Sequence, residues 1–261
     1  GGERLPVEIL ASSPPFDAGT GVPDPAGFFV TRHPFAAFRN VEETMPTRRI
    51  ATSHRVSPLG SSRLGGFDLT YPSAGLTYHF ADFIEHDAAS AIIILKDGHL
   101  IHEGYYHGAD PEDLFISFSS GKSVVSTLLG LAVEDGLIGS IDDPIMRYLP
   151  EVQGSAYEAA TIRNVLQMSS GTSYDEDYES PTSDIATFAA VVARSQGGLY
   201  DFARSFKPAR PPGQQFHYAS ADTEILGELI RRVTRHSLAD YMSLRLWQPL
   251  GAEAPARWAL D

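Results

Sequence analysis

A serine and a lysine stand three residues apart in Ser119-Ser120-Gly121-Lys122, at the start of an apolar stretch of this sequence. If the stretch is a helix, residues three apart lie on one face, and the Ser119 hydroxyl meets the Lys122 amine. Serine becomes an effective nucleophile when a base takes its proton. Lysine can be that base where burial or a helix N-terminus disfavours its charged form. The pattern therefore predicts a nucleophile with its own base.

Chance and nucleotide binding both compete with this prediction. A serine-x-x-lysine pattern arises by chance in a serine-rich chain, so the tetrapeptide alone is weak evidence. Gly121-Lys122-Ser123 also resembles the end of a phosphate-binding loop, but that loop requires a glycine where Ile116 stands. The sequence therefore disfavours nucleotide binding.

Tyr218 follows a proline- and glycine-containing turn and precedes a predicted helix. Its hydroxyl could relay protons between the nucleophile, the lysine and a leaving group. Taken alone, a tyrosine at such a position is more commonly a packing residue. Ser220 could hydrogen-bond to substrate or to Lys122. His217 could touch substrate, although a solvent-facing or capping role is the simpler interpretation.

The charge of the chain excludes several classes of partner. There are 20 basic and 33 acidic residues, for a formal net charge of −13. This balance argues against binding to nucleic acid and to anionic membrane surfaces. No run of about 18 apolar residues predicts a membrane span. The absence of cysteine excludes disulfides and thiolate chemistry.

Histidines and carboxylates cluster at two places, and neither cluster predicts a metal site. His99 and His102 are three apart in a predicted strand, so they point to opposite faces of it. The acidic segment 175–179 is predicted to be a solvated loop. The alternative is that its negative charge attracts a cationic substrate amine.

The patterning predicts an irregular N-terminal arm over 1–88 that wraps the core, followed by a domain over 89–261 with a hairpin and a mostly helical second half. Alternating and β-branched residues on both sides of Asp97-Gly98 predict a tight antiparallel hairpin over 91–106. Apolar periodicity and capping residues predict a series of helices. These helices cover 119–135, 161–168, 184–193, 222–233 and 237–246. Because two strands do not make a stable sheet, further strands must come from the arm or from another chain.

Together, Ser119-x-x-Lys122 and Tyr218-x-Ser220 resemble the serine β-lactamase and penicillin-binding superfamily. The resemblance covers residues 70–261 and looks most like class C β-lactamases, family VIII esterases and 6-aminohexanoate-dimer (nylon oligomer) hydrolases. It implies an α/β (α+β) fold, with an antiparallel sheet flanked by helices and a mostly helical lobe. The Met168-Ser169-Ser170-Gly171 stretch looks closer to the nylon-oligomer-hydrolase branch.

The resemblance also implies a mechanism. Ser119 attacks a carbonyl while Lys122 takes its proton, Tyr218 passes a proton to the leaving group, and water then releases an acyl-enzyme. The backbone N–H of Ser119 is one expected oxyanion donor. No metal and no organic cofactor are implied, and the expected partner is a small-molecule ester or amide substrate.

Several activities remain open at this point. A carboxylesterase or 6-aminohexanoate-oligomer hydrolase leads, and a β-lactamase or D-Ala-D-Ala peptidase follows. A penicillin-binding sensor that acylates without turnover, or an inactive fragment, is the alternative from another class. The chain begins with Gly1-Gly2 and shows no signal peptide, so a periplasmic, secreted or cytoplasmic location stays open.

Two departures from the superfamily pattern stand out. Ser220 occupies the place where an asparagine is usual. The third motif, a Lys/His-Thr/Ser-Gly strand, has no match, since Lys207 precedes a proline that forbids the strand pairing. We therefore expect the chain to correspond to the first two thirds of the fold, without its C-terminal strands. Two alternatives stay open for these strands: a second chain supplies them, or they are missing.

Overall fold

A computed structural model describes residues 8–9, 39, 45–61, 69–86, 89–194 and 197–260. The chain forms two compact units. One contains the described residues of 57–116, together with the short segments at 8–9 and 39, and the other contains 45–56 and 117–260.

The strands of the described residues are short. In chain order they are β1 (Glu8–Ile9), β2 (Thr47–Ile50), β3 (Gly60–Ser61), β4 (Thr70–Ser73), β5 (Leu76–His79), β6 (Ala91–Lys96), β7 (His99–Tyr105) and β8 (Ala256–Ala259). The α-helices are α1 (Phe80–His86), α2 (Ser120–Glu134), α3 (Ile162–Leu166), α4 (Asp184–Arg194), α5 (Leu199–Ala203), α6 (Ser220–Thr234), α7 (Leu238–Met242) and α8 (Gln248–Leu250). Single 3₁₀ turns cover Ile145–Arg147 and Pro150–Val152, and a π-helical turn covers Ser243–Trp247.

The first unit is built around the predicted hairpin, which the structure confirms. Strands β6 and β7 pair antiparallel, with Lys96 opposite His99. Asp97 and Gly98 both have positive φ, as a two-residue hairpin turn of matching twist requires. The short strands β1 and β3 join β7 in parallel, so this sheet is mixed.

The second unit holds the main core. Helices α2 and α6 supply its centre, because each places apolar residues at helical spacing along one face. Leu128 and Leu129 of α2, and Ile225 and Leu229 of α6, are fully buried. Helix α2 ends at Asp135, where Gly136 follows with positive φ, a common helix stop. Every predicted helix is present, with ends displaced by a few residues.

Much of the arm predicted over 1–88 lies outside the described residues. Its described part is not irregular throughout, because it contains β2 to β5 and α1. Strand β2 pairs antiparallel with β8, from Thr47 opposite Ala259 to Ile50 opposite Ala256. The N-terminal segment therefore supplies a strand to the second unit, which is one of the two sources of additional strands expected from the sequence.

Candidate active site

Ser119 immediately precedes α2 and Lys122 lies in its first turn, both in the second unit. The Lys122 Nζ lies 3.0 Å from the Ser119 Oγ and donates a hydrogen bond to it. Ser119 is exposed and Lys122 is half-buried. The three-residue spacing therefore brings these two groups together, as the sequence predicts.

The backbone around Ser119 leaves its polar groups available for chemistry. Ser119 is the N-cap of α2, yet its side chain makes no capping hydrogen bond. The next three N–H groups, of residues 120–122, donate to the carbonyls of residues 117–119 at 3.0 Å each. Within the described part of the chain, no group accepts the N–H of Ser119. This N–H is thus free to meet an oxyanion at the positive end of the helix dipole.

Phe118 directly precedes the serine and has a φ of 42°, in the left-handed region. A bulky residue rarely adopts this conformation, and such backbone strain concentrates at functional sites. The bend at Phe118 turns the chain sharply into α2, which leaves Ser119 at the exposed start of the helix.

Tyr218 completes the group of residues predicted from the sequence. The Lys122 Nζ lies 5.1 Å from the centroid of the Tyr218 ring, within cation–π range. Tyr218 is half-buried and immediately precedes Ala219, the extended N-cap residue of α6. Among the described residues, its hydroxyl has no hydrogen-bond partner. Residues about 100 positions apart in the sequence therefore meet at the N-termini of two packed helices.

Ser220 is bound by a residue of the acidic segment that composition predicts to be a solvated loop. The Glu176 carboxylate accepts the Ser220 N–H at 2.7 Å and the Ser220 hydroxyl at 2.6 Å. The Tyr178 hydroxyl donates to the same carboxylate at 2.8 Å. Ser220 is thus buried and bonded to Glu176, whereas Lys122 donates to Ser119.

Glu176 therefore caps α6 from outside the helix. A negative charge at a helix N-terminus is stabilised by the unpaired N–H groups and the helix dipole. Burial, followed by the bond to Glu176, raises the pKa of Tyr178 above its ordinary value, so that Tyr178 stays a protonated donor. The sequence does not indicate this contact, because it predicts the helix to begin at Asp222, and Ala219 is identified as the N-cap by the structure.

His217 is tied to two neighbouring loops. Its Nε2–H donates to the Tyr174 carbonyl at 2.6 Å, and its backbone N–H donates to the Met168 carbonyl at 2.7 Å. His217 thus links the two loops through its ring and its backbone, and these contacts give it a structural role.

Asp222 is a buried acid near the site that no motif in the sequence indicates. Its Oδ1 accepts hydrogen bonds from the hydroxyls of Ser170 at 2.7 Å and Tyr157 at 3.1 Å. Its Oδ2 is buried with no partner among the described residues. Burial raises the pKa of Asp222 to about 7, although the two hydrogen bonds oppose the shift.

The histidines of the hairpin have separate partners. His102 is buried, with its Nε2 2.9 Å from the Tyr106 hydroxyl, and the His99 Nδ1 lies 2.9 Å from the Asp97 carbonyl. In the described ranges, no three histidines or carboxylates are grouped so as to hold a metal ion. No helix in these ranges is long and apolar enough to cross a membrane.

Comparison with known proteins gives consistent matches. The β-lactamase family profile matches residues 80–257. The 6-aminohexanoate-dimer hydrolase of Paenarthrobacter ureafaciens is 27% identical over 232 residues, which cover 86% of this chain and 57% of that protein. The Staphylococcus aureus (strain MW2) protein flp is 24% identical over 187 residues, which cover 64% of this chain and 35% of flp.

Solved structures agree. A Bacillus anthracis protein assigned as a 6-aminohexanoate-dimer hydrolase superposes with a TM-score of 0.77 at 20% identity, covering 87% of this chain and 61% of that one. At this identity the superposition shows the fold, and it confirms the predicted fold class. The chain spans less than two thirds of the length of each of these relatives.

Proposed function

Because the chain belongs to the β-lactamase family, as its two motifs predict, we propose that it is a serine hydrolase that cleaves ester or amide bonds through an acyl-enzyme. The observation that carries the proposal is the 3.0 Å contact between the Lys122 Nζ and the Ser119 Oγ. A nucleophile and a base within hydrogen-bond reach are the first requirement of covalent catalysis.

In the proposed first step, Ser119 attacks the substrate carbonyl and its proton moves to Lys122 in its neutral form. Lys122 is half-buried in the first turn of α2, directly beside the serine. The N–H of Ser119 stabilises the oxyanion, and one such donor is worth about 3 kcal/mol. Tyr218, beside the lysine, passes a proton to the departing alkoxide or amine.

In the second step, water attacks the acyl-enzyme and regenerates Ser119. The water gives its proton to the lysine and tyrosine pair as its oxygen bonds to the acyl carbon. The bond between that carbon and the Ser119 Oγ then breaks, and the pair returns the proton to Oγ.

For the substrate, we propose a short ester or amide of the carboxylesterase or 6-aminohexanoate-oligomer type. The name of the P. ureafaciens relative supports the amide class. The exposed carboxylates of Asp175, Asp177 and Glu179 surround the Glu176 cap and would attract a substrate that carries an amine.

Mass spectrometry of the intact protein tests the proposal directly. A p-nitrophenyl ester and, separately, a fluorophosphonate should each add one acyl or phosphonyl group to the wild type. Ser119→Ala should abolish both adducts, while Ser120→Ala, its exposed neighbour in the same turn, should retain them. Lys122→Ala should lose acylation yet remain folded. Adducts that persist in Ser119→Ala would refute the assignment of the nucleophile.

The same assay separates the alternative activities. Release of product after the initial burst indicates a hydrolase. A penicillin adduct that persists for hours indicates a penicillin-binding sensor, and rapid turnover of penicillin indicates a β-lactamase. No adduct with any reagent indicates an inactive site.

A further inference from the structure

An open cavity of about 720 Å³ lies in the second unit, and none of the proposed catalytic residues lines it. This volume is in the range of small-molecule sites. Most of the side chains that line it are apolar: Met146, Ala156, Ala159, Pro208, Ala209, Pro211 and Pro212. The wall is therefore suited to an aliphatic group.

Arg210 is the cation of this cavity, and it forms no salt bridge within the described part of the chain. It is half-buried, and its Nη1 is fully buried without a hydrogen-bond partner in the described part of the chain. The other half-buried arginines of the described second unit each bind an aspartate, Arg204 with Asp201 at 2.7 Å and Arg245 with Asp135 at 2.6 Å. Since a guanidinium does not lose its charge in proteins, Arg210 favours an anion from outside.

Glu158 also lines the cavity, and its carboxylate is already bonded to the backbone. The Glu158 Oε2 accepts the N–H of Gly154 at 2.7 Å, and the carbonyl of Gly154 accepts from the Lys207 Nζ at 2.9 Å. Glu158 and Lys207 thus bond to the N–H and the carbonyl of the same residue, Gly154. The lining thus holds one carboxylate and one guanidinium, and of the two it is the Arg210 guanidinium whose buried nitrogen lacks a hydrogen-bond partner in the described part of the chain.

The wall that carries Arg210 is held rigidly. The N–H groups of Ala209 and Arg210 both donate to the Gly171 carbonyl, at 2.8 and 3.2 Å. Three prolines in the 208–212 segment further restrict its backbone. These donors are already used, so the guanidinium is the group left to bind an anion. The rigid backbone limits the conformational freedom that Arg210 loses when its planar guanidinium binds a carboxylate.

We propose that this cavity binds a monocarboxylate with a short aliphatic chain. The carboxylate pairs with the Arg210 guanidinium, and the chain lies on Met146, Ala156 and the prolines. The site is independent of the proposed hydrolysis, because it uses none of the residues assigned to that chemistry.

Isothermal titration of octanoate into the Ser119→Ala protein tests this site without turnover. Saturable binding is expected, and Arg210→Gln should weaken it by about tenfold or more. Arg194→Gln, which removes an exposed arginine of the same unit, should change the affinity by less than about twofold. The neutral probe 1-octanol should bind equally to the wild type and to Arg210→Gln.

Equal octanoate affinities in the wild type and Arg210→Gln would overturn the proposal, as would the absence of saturable binding. Inorganic phosphate that binds as tightly as octanoate would overturn the aliphatic part of it. If Arg210→Gln does not fold, Ala159→Trp replaces it as the test variant. Ala159 is exposed at the cavity wall, and a tryptophan there should block octanoate without removing a core contact.

Discussion

Replacing Asp222 with asparagine should remove a large pH dependence from the stability of this protein. Asp222 is fully buried in the first turn of α6, and the hydroxyls of Ser170 and Tyr157 donate to its Oδ1. Asparagine keeps an acceptor oxygen for both hydroxyls but carries no charge. The variant therefore changes the electrostatics of the position more than its packing.

The direction of the effect follows from the pKa of Asp222, which burial raises from 3.8 to about 7. The folded protein holds this proton more tightly than the unfolded chain does. Binding of this proton therefore stabilises the folded protein. The stabilisation is fully present below pH 3.8 and is lost as the pH rises through the folded pKa of about 7. At about 1.4 kcal/mol for each unit of pKa, the whole effect is about 4 kcal/mol, of which about 2 to 3 kcal/mol falls between about pH 5 and pH 8.

Urea unfolding at several pH values between about 5 and 8 measures this difference. The free energy of unfolding of Asp222→Asn, minus that of the wild type, should rise by about 2 to 3 kcal/mol across the range, because all other titrating groups are shared. Asp201→Asn is the surface control, since Asp201 is exposed and its ion pair with Arg204 lies at the surface, where such pairs contribute little to stability. A difference between Asp222→Asn and the wild type that stays constant with pH would refute the reasoning.

Three further predictions concern the proposed proton relay, the cap of α6 and the backbone at Gly171. Tyr218→Phe should slow ester turnover by on the order of 10² if the hydroxyl relays protons, and an unchanged rate would make Tyr218 a packing residue. Glu176→Gln should lower the free energy of unfolding by about 1 to 3 kcal/mol, because α6 loses a charged cap, and equal stability in urea would contradict that role. Gly171→Ala should be strongly destabilising, since a Cβ there would lie 2.2 Å from the Arg210 carbonyl oxygen. Gly154 has a similar positive φ but open space around it, so Gly154→Ala should cost less in the same assay, and equal costs would contradict the steric argument.

The parts of the fold that the sequence predicts well are those that local physics determines. The helices follow from apolar spacing and from caps such as Thr161, whose side chain and Asn164 form a reciprocal capping box. The hairpin follows from Asp97-Gly98. The contact between Ser119 and Lys122 requires only one turn of helix.

Pairings between distant segments were not predictable in the same way. Strand β2 meets β8 although about 200 residues separate them, and neither four-residue strand has a strong apolar alternation. The contact of Glu176 with Ser220 spans 44 residues. Its carboxylate lies in an acidic run that composition alone marks as solvated, and only the tertiary fold shows which acid of the run is used.

The site therefore has two parts, the Ser119–Lys122 pair and Tyr218, which are positioned in different ways. A change in the surrounding fold should affect them differently. The nucleophile and its lysine are fixed by one helical turn, so their contact depends little on the rest of the fold. Tyr218 is positioned by the start of α6. This start is attached to the acidic segment by the bond from Ser220 to Glu176, and to the residue before that segment by the bond from His217 to the Tyr174 carbonyl. If Tyr218 acts mainly in release of the acyl group, weakening that attachment should slow turnover more than the first acylation. Burst amplitude and steady-state rate, measured on Glu176→Gln with one ester, test this expectation. The steady-state rate should fall more than the burst amplitude, whereas a general loss of structure would lower the burst amplitude and the steady-state rate together.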